Sequence, residues 1–212
     1  MDQPAWKIRC IYMTSSNIGR SPTGPSTPTA EESAAYAAAL GRALAEWQFI
    51  ESGLVELFEH ALGGARHAGA VAAFHVPQGF RTRLDMCTAA VKKSGAPDAW
   101  IKRWKEIASG LKALGDKRNI ASHGITIFDA CRPVGQRLFM TTNINNPDKR
   151  QDIFDHAVGV GARTLHEQAK EYSAAYEDLT AFRMRFAWAI RDGFPDGDVV
   201  PDEAMGIKQP PG

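Results

Sequence analysis

Residues 111–124 read LKALGDKRNIASHG and close the most regular pattern in the chain. Behind them, apolar side chains recur at Trp100, Trp104, Ile107, Leu111 and Leu114. Steps of three and four place all five on one face of an α-helix. One more step of four lands on Arg118, so the apolar stripe runs straight into a guanidinium. Pro97 suits a first helical position, and Asp98 puts an acid at the positive end of the helix. His123 falls in the last turn, and Gly124 is placed as the residue that stops the helix. Such a helix needs neighbours to cover its stripe.

The flanking sequence supplies them. Thr29 is a candidate N-cap with Glu31 and Glu32 in the first turn. A long helix is expected from there to about residue 62, ended by Gly63-Gly64. Its stripe is Leu40, Leu44, Trp47, Leu54 and Phe58, with Ile50, Leu57 and Ala61 beside it. Glu51 lies on that stripe, either at the core edge or paired within it, because an unpaired buried charge is costly. Residues 66–76 suggest a short helix, stopped by Pro77 and Gly79. A further helix is expected over residues 80–93, with Phe80, Leu84, Cys87 and Val91 inward and Arg81 and Arg83 flanking.

Beyond Gly124 the period changes. ITIFDA and QRLFMTT are short, β-branched and aromatic, and CRPVG lies between them, which reads as a β-hairpin or an extended excursion. Asn143 to Asp148 reads as a loop. A last helix is expected from about residue 163 to 191, with Leu165, Ala169, Tyr172, Tyr176, Leu179, Phe182, Phe186 and Ile190 inward. Gly193 and Pro195 end it.

The expected architecture is therefore mainly α: a bundle of about five helices with a short β-hairpin-like insertion before the last. Residues 1–29 read as a flexible N-terminal arm, because Ser, Thr, Pro and Gly dominate its second half. A partner-binding arm is the alternative. Residues 30–191 read as a single helical-bundle domain, with 124–148 as its hairpin and loop insertion. Residues 192–212 read as a flexible acidic tail. A chain of 212 residues can bury a core without covalent staples.

Composition narrows the function classes. Cys10, Cys87 and Cys131 are far apart and fit neither a disulfide framework nor a zinc site, which suits a reducing, cytoplasmic compartment. No secretory leader is legible at the start, and no apolar run approaches about 18 residues, so no membrane partner is expected. The net charge of +1 gives no global nucleic-acid footprint. Charge is uneven, however. Residues 29–62 hold six acids and one base, and residues 78–123 hold ten bases and four acids. Oppositely charged helices side by side in a bundle would account for this, and so would a local basic surface around Arg118 that holds phosphates.

Arg118, Asn119 and His123 are the residues that could do chemistry. Asn119 and His123, four apart, lie one turn from each other on a helix face. Arginine carries a fixed fork of donors suited to phosphate, and histidine exchanges protons near neutral pH. Asparagine can orient a ring nitrogen or hold an oxygen. Together they could cleave a phosphodiester without a metal, His123 moving protons and Arg118 stabilising charge on the phosphoryl oxygens.

Arg118-Asn119-x-x-x-His123 followed by Gly124 resembles the R-N-x-x-x-H signature of HEPN domains. The resemblance covers residues 30–191, and its specific part is six residues long. It implies an all-α bundle and a metal-independent ribonuclease of the kind found in toxin–antitoxin and other defence systems. It also implies no cofactor, RNA as a partner, a homodimer in which two motifs face one cleft, and an antitoxin protein as a further partner. Arg118 and His123 would be the catalytic pair and Asn119 the polar residue between them. Arg81, Arg83 and Lys117 are weaker candidates for contacts to substrate phosphates. The hairpin after Gly124 departs from the minimal family core.

Structural readings stand beside each of these. Arg118 could pair with Glu51 inside the bundle, where loss of one partner costs about 3–5 kcal/mol. His123 and Asn119 could serve only the helix end. The same motif would then be a structural polar network in a non-catalytic binding or assembly module. Gly159-Val160-Gly161 lacks a third glycine and reads as a turn rather than a dinucleotide fingerprint. His60 and His67 lack metal-site spacing, and Asp152 and His156, four apart, read as polar residues of the surface. Tyr172 and Tyr176 read as core.

Overall fold

A computed structural model describes residues 27–63, 68–76, 79–130, 132–141 and 159–195. The expected loop at 143–148, Asp152, His156, His67, almost all of the N-terminal arm and the tail beyond residue 195 lie outside the described residues. Among those described, the protein is mainly helical, with a small antiparallel sheet before the last helix. The helices are α1 (Ala30–Ala61), α2 (Ala68–His75), α3 (Phe80–Lys93), α4 (Asp98–His123) and α5 (Ala162–Asp192). The strands are β1 (Ile125–Phe128), β2 (Leu138–Thr141) and β3 (Val160–Gly161), in sheet order β1-β2-β3. No helix among the described residues is long and apolar enough to cross a membrane.

The ends of α1 and the start of α4 have local causes. At the start of α1 the Thr29 hydroxyl accepts from the Glu32 N–H at 3.1 Å, and the Glu32 carboxylate accepts from the Thr29 N–H at 3.1 Å. Two otherwise orphan donors are satisfied reciprocally. At the far end Gly63 takes φ +88°, a conformation that costs glycine nothing. α4 begins one residue later than the proline suggested: Pro97 lies outside the helix, and its carbonyl accepts from Trp100 and Ile101.

The chain divides into two compact units. The first comprises the described residues up to Ala45 together with Lys117–Lys170. Its interior gathers Tyr36 and Ala43 from α1, Ala121 from α4, Leu165 and Ala169 from α5, and the apolar side chains of β2. All four β2 positions are buried, as expected for the central strand of a covered sheet. The β1–β2 register pairs Ile125 with Thr141 and Phe128 with Leu138. β3 corrects one expectation: Val160–Gly161 is a short strand pairing with Met140 and Phe139, not a turn.

The second unit comprises Glu46–Asp116 and the described residues from Glu171 on. Trp47 packs its ring against Phe80 and Tyr172, with centroids 4.6 and 5.3 Å away. Trp100, Trp104, Phe182, Phe186 and Phe194 form a second aromatic cluster. Ile50, Leu54, Leu57, Phe74, Val91, Leu111 and Leu179 fill the space around them. Burying each such side chain contributes roughly 1.5–3 kcal/mol.

Candidate active site

α4 enters the first unit with its last two turns, and these carry the motif. Ala121 is buried and half-buried Ile120 flanks it, which fixes how this end of the helix is seated. The seating decides what the polar residues face. Asn119 and His123 are exposed, one turn and about 6 Å of helix rise apart. Lys117 is exposed as well. Arg118, about 100° further round the helix from Asn119, is half-buried, and its Nε is sealed from solvent.

The helix stops without a left-handed residue. The Gly124 N–H still donates to the Ile120 carbonyl at 2.8 Å, and β1 begins at the next residue. Glycine is required here for space rather than for φ. A Cβ at this position would collide with the Met140 side chain and come within 2.5 Å of the Ile120 carbonyl oxygen. The hairpin therefore abuts the helix end at Gly124 while His123, one residue earlier, remains exposed.

Lys117, Arg118, Asn119 and His123 are thus brought together within seven residues of one helix. The other nominated residues belong to the second unit. Glu51 is placed at the edge of the core, with 17% of its side chain exposed. Its carboxylate accepts from Trp47 Nε1 at 2.7 Å and from Arg83 Nη1 at 3.2 Å. Arg83, itself only one-fifth exposed, is thereby engaged in a structural ion pair. Arg81 is exposed on α3.

One polar group was not singled out from the sequence. Arg132 and Arg137, in the connection between β1 and β2, are among the most buried polar residues described. The Arg132 guanidinium sits 3.7 Å from the centre of the Phe139 ring, and its Nε lies 3.5 Å from an Asp129 carboxylate oxygen. Arg137 Nε donates to the Arg132 carbonyl at 3.1 Å. Burial pulls the Arg132 pKa down, and Asp129 opposes that shift. Arginine in a strand connection ordinarily reads as a solvated residue, and only the non-local packing of β2 against it reveals otherwise.

Among the described residues no group of three or more His, Cys, Asp or Glu side chains is placed to hold a metal ion. Cys87 is buried and its Sγ donates to the Leu54 carbonyl at 3.3 Å; burial pushes its thiol far above the ordinary range. It is a packing residue rather than a nucleophile. No family model, no curated protein and no solved structure matches this chain.

Proposed function

We propose that this chain is a HEPN-like, metal-independent endoribonuclease that acts as a homodimer. The observation that carries the reading is the exposure of His123 and Asn119 one turn apart, beside a half-buried Arg118. A proton shuttle has to reach solvent and substrate, and a phosphate-stabilising guanidinium gains strength from partial desolvation. In the proposed reaction the RNA 2′-oxygen attacks the adjacent phosphorus and the bond to the 5′-oxygen breaks. His123 moves protons in this exchange, Arg118 holds the phosphoryl oxygens, and Asn119 orients the imidazole or the scissile group. The products are a 2′,3′-cyclic phosphate and a free 5′-hydroxyl. Lys117, on the motif helix itself, offers charge to a neighbouring phosphate, whereas Arg83 in the second unit is committed to Glu51. A toxin role, with an antitoxin protein as partner, extends the same reading.

A second reading has its own support. Partial burial of Arg118 with a sealed Nε also suits a structural polar network in a non-catalytic binding module. RNA cleavage by the purified protein in excess chelator separates the two. Wild type, His123→Ala and Arg118→Ala are compared after circular dichroism has shown all three folded. Cleavage by wild type with at least a hundredfold loss in His123→Ala is expected, in line with the usual worth of a general acid or base. Equal inertness of wild type and His123→Ala on several RNAs moves the assignment to the binding module. Equal cleavage by both removes His123 from the mechanism.

A further inference from the structure

Within the second unit, α5 has two apolar faces where a surface helix ordinarily has one. On its inner side Phe182, Phe186 and Ala189 are buried, and Trp100 packs within 6.0 Å of both phenylalanine rings. On its outer side Ala181, Met184 and Trp188 follow one another at steps of three and four, and all are exposed. Met184 is 49% and Trp188 44% exposed, so the stripe is open over its whole length. Between residues 181 and 190 the only charged side chains are Arg183 and Arg185. Both are half-buried, and Arg183 is turned to Glu56 on α1.

The residues that bracket this stripe identify its occupant. Glu177 lies seven positions before Met184 and Arg191 seven positions after it, both exposed and both in line with the stripe. Two copies of α5 laid antiparallel with Met184 on the two-fold axis bring Glu177 against the partner's Arg191 at each end. Trp188 then falls opposite the smaller Thr180 and Ala181 positions, large against small. A parallel pairing would instead set acid against acid and base against base. Asp192 occupies Arg191 Nε and Nη2 at 2.7 Å each, which leaves Nη1 for a second carboxylate.

We propose that the exposed face of α5 formed by Ala181, Met184 and Trp188 binds the same face of a second copy of this chain in antiparallel, two-fold symmetry. The contact is isologous, so every pairing occurs twice. A single helix pair buries less than the ~800 Å² per partner of a standard interface, so a micromolar dimer is expected. This inference is argued from residues of the second unit alone, and RNA cleavage is not among its premises.

Sedimentation of the full chain between about 1 and 100 µM tests it, since a dimer of this size dissociates in that range. Wild type should pass from monomer to dimer mass. Trp188→Glu, with unchanged helical dichroism, should stay monomeric throughout. Glu177→Arg alone should weaken association at least tenfold, Arg191→Glu alone should do the same, and the two together should restore it. Wild type that remains monomeric at the top of the range overturns the proposal. So does a dimer indifferent to Trp188→Glu and Glu177→Arg, or single charge reversals that the double reversal fails to rescue. Met184→Cys gives an independent readout: oxidation should link two copies through residue 184, against a wild-type control that does not link. A wild type monomeric throughout overturns the homodimer of the ribonuclease reading as well, whereas a dimer indifferent to these variants overturns the α5 contact alone.

Discussion

Gly124 sits where the motif helix becomes a strand, and its missing side chain holds the helix end and β2 together. Adding one methyl has to move the Ile120 carbonyl, which is backbone, as well as the Met140 side chain. Gly124→Ala should therefore lower stability by about 1–3 kcal/mol, the usual range for forcing extra atoms into a packed site. Urea unfolding measures this directly, and an unchanged midpoint would mean that the helix end can give way. Sequence reading placed glycine here correctly but for another reason, since a helix-stopping glycine suggests positive φ and this one has none. Exposure of His123 was not legible at all. Periodicity locates a residue on a helix face, and only the packing of Ala121 decides which face looks outward. Glu51 is a mixed case. Its place on an apolar stripe called for the core edge or a partner, and it has both, but Arg83 stands 32 residues away and was one of several cations available.

Among the elements, the helices were the most legible because each carries a period and an end signal. α3 spans the expected residues, and α4 ends at the expected histidine. Tyr36 and Ala43 are buried where Leu40 and Leu44 are only half-buried, so the stripe at the start of α1 winds differently from the one read. β3 was missed because two residues are too few to show a period. Their identity as a strand comes wholly from pairing with β2. The capping box of α1 gives a prediction at this scale. Thr29→Ala should cost about 0.5–2 kcal/mol, the usual worth of a helix N-cap. Glu32 adds a pH dependence. The N–H groups of Thr29 and then Gly135 hold its carboxyl below the usual glutamate value of 4.5. A depressed acid stabilises the fold above its unfolded pKa, and the gain disappears as pH falls through its folded pKa. Wild type should thus exceed Glu32→Gln in stability at neutral pH, with the gap closing in acid below 4.5. A gap that persists to acid pH would remove the charge from the account.

Over the whole molecule, charge is the property that composition hides. The net charge is +1, yet ten of the 25 basic residues lie in residues 78–123. On the ribonuclease reading, affinity for single-stranded RNA should fall steeply with salt, by about 0.7 in logarithmic slope for each phosphate neutralised. Lys117→Ala should flatten that slope by about one such increment. Fluorescence titration of a non-cleavable oligonucleotide over a salt series measures both, and a salt-insensitive affinity would argue against phosphate contacts altogether. The sheet carries a different consequence. The chain leaves β2 at Thr141 and returns as β3, pairing Val160 with Met140. Departure and return are therefore neighbours on one strand, with a detour of 17 residues in sequence between Thr141 and Gly159. Closing such a detour depends only on the logarithm of its length, about 0.6 kcal/mol per doubling. Doubling this connection with a Gly-Ser insert should therefore lower stability by only about 0.6 kcal/mol, a small shift in thermal unfolding. That makes the β2–β3 junction a graft point, where peptides or whole modules can be exchanged without rebuilding the host.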